Sequence, residues 1–386
     1  MLIVCMKYGK LFTEKRKERR RLQGCATAWL KVNLNTMQQN AEICAQSTGR
    51  IIPVLKADAY GLGLVPVAKA LASLPTVACI AVAQVQEGLA LREAGIFADI
   101  LVLGEALPAQ AEAAVRNGLT LIIGRSSDVL AIESTAERLH TTASVQLKVD
   151  TGLHRLGLRK EEIPSVVSAL HKAKHLSVRG AYSHFADTED AALCETQYEA
   201  FLDACDYFTA EGIPIPLRHI CDSAASERYP QYALDAVRLG RRLAWDAPQG
   251  GGTIRESATL QAYVLDVRTR KAGERLGYGA GTVLTRDAEI AVLGIGYGDG
   301  LDPRMAEYRL PVLLHGQRCP MQVCFMDQTL IDVTGLGVVP GDVATVFGYD
   351  ESGVFLSAQE QATACGANEG CAFTTALLPR VERIYA

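Results

Sequence analysis

From about residue 50 to 245 short apolar runs alternate with longer stretches whose apolar residues recur every three to four positions. The runs are "IIPVLK", "VACIAVA", "ILVLG", "LTLIIG", "SVQLKVD", "LSVRGAYSH", "IPLRHIC" and "AVRLG", and stretches such as "VPVAKALASL", "VQEGLALREAGI" and "ETQYEAFLDACDYFTAEG" carry the helical period between them. Eight strand-helix units predict a (β/α)8 barrel of the TIM type, with a doubly wound sheet as the alternative.

After the Gly-rich break "DAPQGGGTIRES" the texture changes to alternating β-branched runs: "ATLQAYVLDVRTR", "AEIAVLGIGYG", "RLPVLLHG", "TLIDVTG" and "DVATVFGY". A second, mainly β domain is expected. The predicted division is a basic extension over 1–26, the barrel over 27–250 and the β domain over 251–386.

Composition narrows the class. With 49% hydrophobic and 21% charged residues in 386, the chain can bury a large core and is not a disordered one. Apolar runs fall far short of the roughly 20 residues a membrane span needs. The net charge of -4 hides an asymmetry, because Lys7 to Arg21 hold eight basic and two acidic residues, so the remainder carries -10. A solvated tail or an over-extended translation start is the simpler reading of that segment than a nucleic-acid or membrane arm. The eleven cysteines are odd in number and never spaced C-x-x-C, which suits reduced thiols of a cytoplasmic protein and gives no zinc or other metal site.

The candidate chemistry starts at "PVLKADAYGLG", where Lys56 stands at the end of the first predicted strand. Catalytic groups of barrels sit at such strand ends. Strand seven leads to Ser223 in "CDSAAS", and strand eight leads through Arg238 to Gly240, the places where barrels bind phosphate. A lysine able to form a covalent link to an aldehyde, facing a phosphate cradle, suggests pyridoxal phosphate (PLP). Taken singly, Lys56 reads as a surface charge and Ser223 as an ordinary helix cap.

At these residues the sequence resembles the alanine racemase family, the fold-type III PLP enzymes. The resemblance runs from "TAWLKVNLNTMQQN" through "VLKADAYGLG", "LKVDTGLHRLGL", "GAYSHFA", "VRLG" and "AGERLGYGAG" to "GYGDG", "MDQTLIDVT" and "PRVERIY". It implies that Lys56 carries PLP and acts as one proton-transfer base, that Tyr60, Ser223, Gly240 and the neighbouring Arg241 hold the phosphate, and that Arg238 faces the pyridine nitrogen with His184 orienting it and Tyr182 nearby. Tyr278 matches the family's second base, supplied by the other subunit of a homodimer, since a racemase needs an acid/base on each face of Cα. Arg155 matches the residue that tunes that phenol and meets the substrate carboxylate, and Lys148 the position often carbamylated to brace this arginine. Met326 and Asp327 complete the substrate pocket from the partner chain.

The implied activity is interconversion of L- and D-alanine, with a serine or other amino-acid racemase, or a non-racemase PLP-binding paralogue, as alternatives. Several stretches depart from the family. "GRRLAW" brings Arg241 and Arg242 beside the phosphate loop, Asp222 stands before Ser223 where asparagine is usual, "CPMQVCFMDQ" is a residue short, and Gln261, where many members carry lysine, reads as a surface or interface change.

Overall fold

The computed structural model describes residues 25–245, 254–279, 281–367 and 369–386. Nearly all of the predicted extension 1–26, and the glycine run of the predicted break, lie outside the described residues. The chain divides into two units, Asn33–Ser257 with Tyr385–Ala386, and the residues up to Val32 with Ala258–Ile384.

Strand β1 (Ala28–Val32) precedes the first unit, which opens with the helix Leu34–Thr48. There follow β2 (Ile51–Pro53), β3 (Ile80–Val82), β4 (Ile100–Val102), β5 (Leu121–Ile123), β6 (Ala143–Lys148), β7 (Leu176–Tyr182), β8 (Arg218–His219) and β9 (Val237–Leu239), with helices between them. Each of the apolar runs read from the sequence holds one of these short strands. β2 to β5 and β9 are buried at every residue, as expected of parallel strands covered on both faces. β2 pairs in parallel with β9, β3 with β4, and β5 through β8 form one parallel ladder. Isolated parallel bridges, Val54 to Ala81 and Leu101 to Thr120, link the β2 and β4 regions to their next neighbours, and the Arg238 amide donates to the Cys221 carbonyl at 3.0 Å beside β8. First and last strands thus meet in an N-terminal barrel. Ile52, Val54, Ala81, Leu101, Ile122 and Tyr182 pack into one buried cluster.

The second unit is mainly β. It contains β10 (Ala258–Arg270), β11 (Arg275–Leu276), β12 (Thr282–Val283), β13 (Ala288–Leu293), β14 (Pro311–Leu314), β15 (Gln317–Cys324), β16 (Thr329–Asp332), β17 (Val343–Tyr349), β18 (Phe355–Leu356) and β19 (Glu382–Tyr385). The long β10 pairs antiparallel with both β13 and β17, so the order β10-β13-β16-β15-β14-β17 returns to its start.

Two expectations change here. β1 lies within the stretch read as barrel, yet it pairs antiparallel with β10, residue Ala28 opposite Ala262. Gln261, read as a surface or interface change, is 2% exposed; its amide accepts from Trp29 Nε1 at 3.2 Å and donates to Thr345 Oγ1 at 3.1 Å.

Asn40 ties the first helix of the barrel unit to the segment after β9. Its Nδ2 donates to the carbonyls of Leu243 (3.0 Å) and Arg255 (2.8 Å), and its Oδ1 accepts from the Arg255 amide at 3.2 Å. Asn40→Ala leaves these backbone groups without partners and is expected to destabilise the protein by about 2–4 kcal/mol, read as a lowered urea midpoint at unchanged slope. An unaltered midpoint would show that the tie carries no stability.

Candidate active site

The strand ends of the barrel unit gather most of the residues singled out above. Lys56 leaves β2 after Val54 and Leu55, whose amides bond the Leu239 and Ala81 carbonyls. The next four residues, Ala57, Asp58, Ala59 and Tyr60, all have φ between 53° and 57°, a turn of left-handed helix built without glycine. Such backbone costs roughly 1–2 kcal/mol per residue. The Glu87 carboxylate holds it, accepting from the Ala57 amide at 2.7 Å with one oxygen and from the Ala83 and Gln84 amides with the other. Asp58 Oδ1 accepts from the Leu64 amide at 2.7 Å. The Lys56 Nζ stands 5.6 Å from the Tyr60 ring centre.

This turn brings Tyr60 against Gly240. A Cβ at Gly240 would lie 2.0 Å from the Tyr60 hydroxyl, so only glycine permits the approach. The Gly240 amide donates to Ser223 Oγ at 3.1 Å, and the Arg242 amide reaches the same oxygen at 3.4 Å. A hydroxyl, a phenol and backbone N–H groups therefore converge on one spot, a donor set suited to an anionic phosphate. Asp222 does not face it, because its side chain accepts from the Ala225 amide at 2.9 Å as the cap of its own helix. Arg241 is half-buried on the turn after Gly240. Arg242 is turned inward, 8% exposed, with Glu227 3.8 Å from its Nη2.

Arg238 is 4% exposed on β9. Its Nη1 donates to His219 Nδ1 (2.8 Å) and the His219 carbonyl (3.1 Å), and its Nη2 to the carbonyls of Ser183 (2.8 Å) and Ile220 (2.7 Å) and to His184 Nδ1 (3.0 Å). Among the described residues none accepts from its Nε. Both imidazoles are neutral: burial and then the Arg238 charge bring His184 down to about 4 and push His219 well below its ordinary value. Tyr182 is buried beside them, its hydroxyl donating to the Leu103 carbonyl at 3.1 Å and its ring stacked on His219 at 5.1 Å between centroids. The Arg238 guanidinium and the Lys148 amine stand 5.4 and 5.1 Å from that ring. Burial first, then the charges of Arg155 and Arg238, lower the Lys148 amine to about 8. Arg155 itself is exposed.

Tyr278, Met326 and Asp327 belong to the second unit and are exposed there, Tyr278 at 88%. Its ring meets Phe325 edge-on at 5.4 Å. The loop with Met326 and Asp327 is pinned by the Tyr297 and Gly298 amides, which donate to the Phe325 and Met326 carbonyls at 2.9 and 2.7 Å. Sequence reasoning passed over His219 and Glu87. His219 lies near the end of the seventh apolar run, four residues before Ser223, and that position was the available signal; nothing in "VQEGLALREAGI" marks Glu87 as a backbone clamp.

Residues 32–248 match the model of the alanine racemase N-terminal domain and 257–385 that of the C-terminal domain. The chain belongs to the alanine racemase family. The alanine racemase of Carboxydothermus hydrogenoformans is 35% identical over 92% of this chain and 99% of its own length. Alanine racemase 1 of Oceanobacillus iheyensis is 34% identical, over 84% and 90% respectively. Among solved structures, the alanine racemase of Streptomyces coelicolor A3(2) superposes with a TM-score of 0.87 at 27% identity, covering 93% of this chain and 98% of that one. That of Clostridium difficile 630 gives 0.85 at 26%, covering 93% and 96%. Among the described residues of this family member no helix is long and apolar enough to cross a membrane.

Because His184 and His219 are neutral when folded, the unfolded chain takes up protons on them first as pH falls below their ordinary value of about 6.5. Their contribution to stability is complete above that value and is lost as pH falls toward their folded values. The urea midpoint is accordingly expected to drop between pH 7 and pH 5. A midpoint constant over that window would contradict two buried neutral imidazoles.

Proposed function

We propose that the chain interconverts L- and D-alanine with pyridoxal 5'-phosphate carried on Lys56. The observation that carries this reading is the meeting, in one unit of an alanine racemase family chain, of Lys56, the Tyr60–Ser223–Gly240 donor set and a buried Arg238 that keeps one donor free. The donor set fits a phosphomonoester. Lys56 is exposed at the same strand ends, as an amine that must take an aldehyde requires.

When bound, PLP supplies an electron sink that makes the substrate's Cα proton acidic. The protein's own part is positioning and proton transfer. Tyr60, the Ser223 hydroxyl and the amides of Gly240 and Arg241 would hold the phosphate. Arg238, permanently charged, would meet the ring nitrogen of the bound group and keep it unprotonated, where a carboxylate would do the reverse. His184 holds Arg238, and Tyr182 packs against the Arg238 and Lys148 cations. The Lys56 amine moves a proton on one face of Cα, and the hydroxyl of the partner subunit's Tyr278 on the other. Arg155 meets the substrate carboxylate, while Met326 and Asp327 close the pocket from the partner. Two chains related by a two-fold axis would then share two composite sites.

In this reading β2 to β9 of the first unit close as an eight-stranded (β/α)8 barrel that carries the cofactor, the second unit supplies the second base, and 1–26 take no part. A cytoplasmic setting suits the free cysteines among the described residues. Serine or another small amino acid is the nearest rival substrate, because the shortened run into "MDQ" borders the pocket. A non-catalytic PLP-binding chain would have no use for Tyr278 or the β domain. We also propose that Lys148 is carbamylated, since an amine lowered to about 8 offers its neutral form to CO2 and the anionic product would lie near Arg155 and Arg238.

Incubation with L-alanine and PLP in D2O is expected to place deuterium at Cα with inversion, read by NMR and chiral chromatography; no exchange would defeat the proposal. Tyr278→Phe should retain PLP and lose inversion, and full racemisation by this variant would remove the two-base assignment. In 13C-bicarbonate the wild type should show a carbamate carbon signal that Lys148→Ala lacks. Identical spectra would refute carbamylation.

A further inference from the structure

Resting on the reading above, we propose that Gln146 is a positioning residue for racemisation: it fixes the tautomer of His219, and through it the setting of the Arg238 guanidinium that faces the cofactor. The argument is one of donors and acceptors. A guanidinium has only N–H donors. Arg238 Nη1 lies 2.8 Å from His219 Nδ1, so this nitrogen must present a lone pair. A neutral imidazole with a bare Nδ1 carries its proton on Nε2. That Nε2–H points at Gln146 Oε1, 2.9 Å away.

The assignment also fixes the amide of Gln146, which must turn its oxygen to His219 and its NH2 away. Gln146 is 2% exposed and lines a cleft of about 210 Å3 with Arg50, Asp99 and Arg179. His219 itself is fully buried and stacked on Tyr182 with 6° between the ring planes, so it cannot swing to another acceptor. Without the Gln146 oxygen, the Nε2–H would be buried without a partner, which removes much of the advantage of this tautomer over the one with its proton on Nδ1. There the proton would oppose the Arg238 N–H, and the guanidinium would have to shift.

Gln146 touches neither the substrate nor the cofactor, so its effect must pass through the tautomer. The chain has only seven histidines, which makes the tautomer directly readable by 15N NMR of histidine-labelled full-length protein. The His219 signals would be assigned by their loss in His219→Asn. The wild type is expected to show a pyridine-type Nδ1 and a protonated Nε2, unchanged between pH 8 and 6. In Gln146→Met the two nitrogens should move toward each other as Nδ1–H becomes populated, and kcat for alanine should fall at least about tenfold with little change in KM. Gln146→Glu, which keeps an acceptor and adds charge, should restore Nε2–H and move the His219 titration upward.

A protonated Nδ1 in the wild type, which needs no variant, would overturn the proposal. So would a Gln146→Met protein with wild-type tautomer and rate. The expected tautomer in a wild type that fails to racemise alanine would remove the proposed activity, and with it a role for Gln146 in racemisation, while showing that the hydrogen-bond assignment itself is right.

Discussion

Everything at the barrel's strand ends is arranged around one buried positive charge. Taking an ion out of water costs several kcal/mol unless its hydrogen-bonding groups are answered, and the usual answer for arginine is a carboxylate. Arg238 is answered otherwise, by three carbonyls and two imidazole nitrogens that are all neutral. Its two Nη groups are answered, while its Nε meets no acceptor among the described residues and its charge is left uncancelled. The same charge helps keep both histidines unprotonated, so the network sustains itself: neutral imidazoles can accept from Arg238, and Arg238 keeps them neutral. A single carboxylate in that ring would have cancelled the charge and raised both histidines.

A second constraint meets the first at Gly240. Four consecutive left-handed residues are unfavourable, and the turn after Lys56 is held by a clamp from a neighbouring helix, Glu87. The sequence keeps the strain tolerable with short side chains at Ala57, Asp58 and Ala59. What the turn achieves is that Lys56 and Tyr60 work from the same short segment and Tyr60 arrives where Gly240 has no side chain. An ordinary right-handed start to a helix would carry the Tyr60 ring elsewhere.

The alternation of strands and helices was legible in the sequence because parallel strands buried on both faces have no polar face to blur the signal. The positions of Lys56, Ser223, Arg238 and Gly240 were legible because they lie on or a few residues beyond the C-terminal ends of such strands. β1 was misplaced: a five-residue run such as Ala28–Val32 says that it is buried but not against what, and its partner β10 lies more than two hundred residues away. Gln261 failed for a related reason. A polar residue in an alternating strand reads as solvent-facing until the chain shows a tryptophan N–H and a threonine hydroxyl waiting inside. His219 and Glu87 act through backbone groups and other side chains, which leaves no local pattern. The inward turn of Arg242 also had to be seen, since "GRRLAW" permits either direction.

The two units treat their chemistry-bearing residues in opposite ways. In the barrel unit Arg238, His219, Lys148 and Tyr182 are almost wholly buried, with their donors and rings fixed by packing. In the β unit the backbone beneath Met326 is pinned by the Tyr297 and Gly298 amides while Tyr278, Met326 and Asp327 are exposed. Rigid backbone under exposed apolar side chains is wasteful in water, since an aromatic ring left 88% exposed forgoes most of the stabilisation its burial would bring. This surface is completed, on the proposed reading, by a second copy. On the proposed reading the charge that shapes the cofactor and the phenol that returns the proton come from different chains, and association itself becomes the step that assembles both faces of Cα.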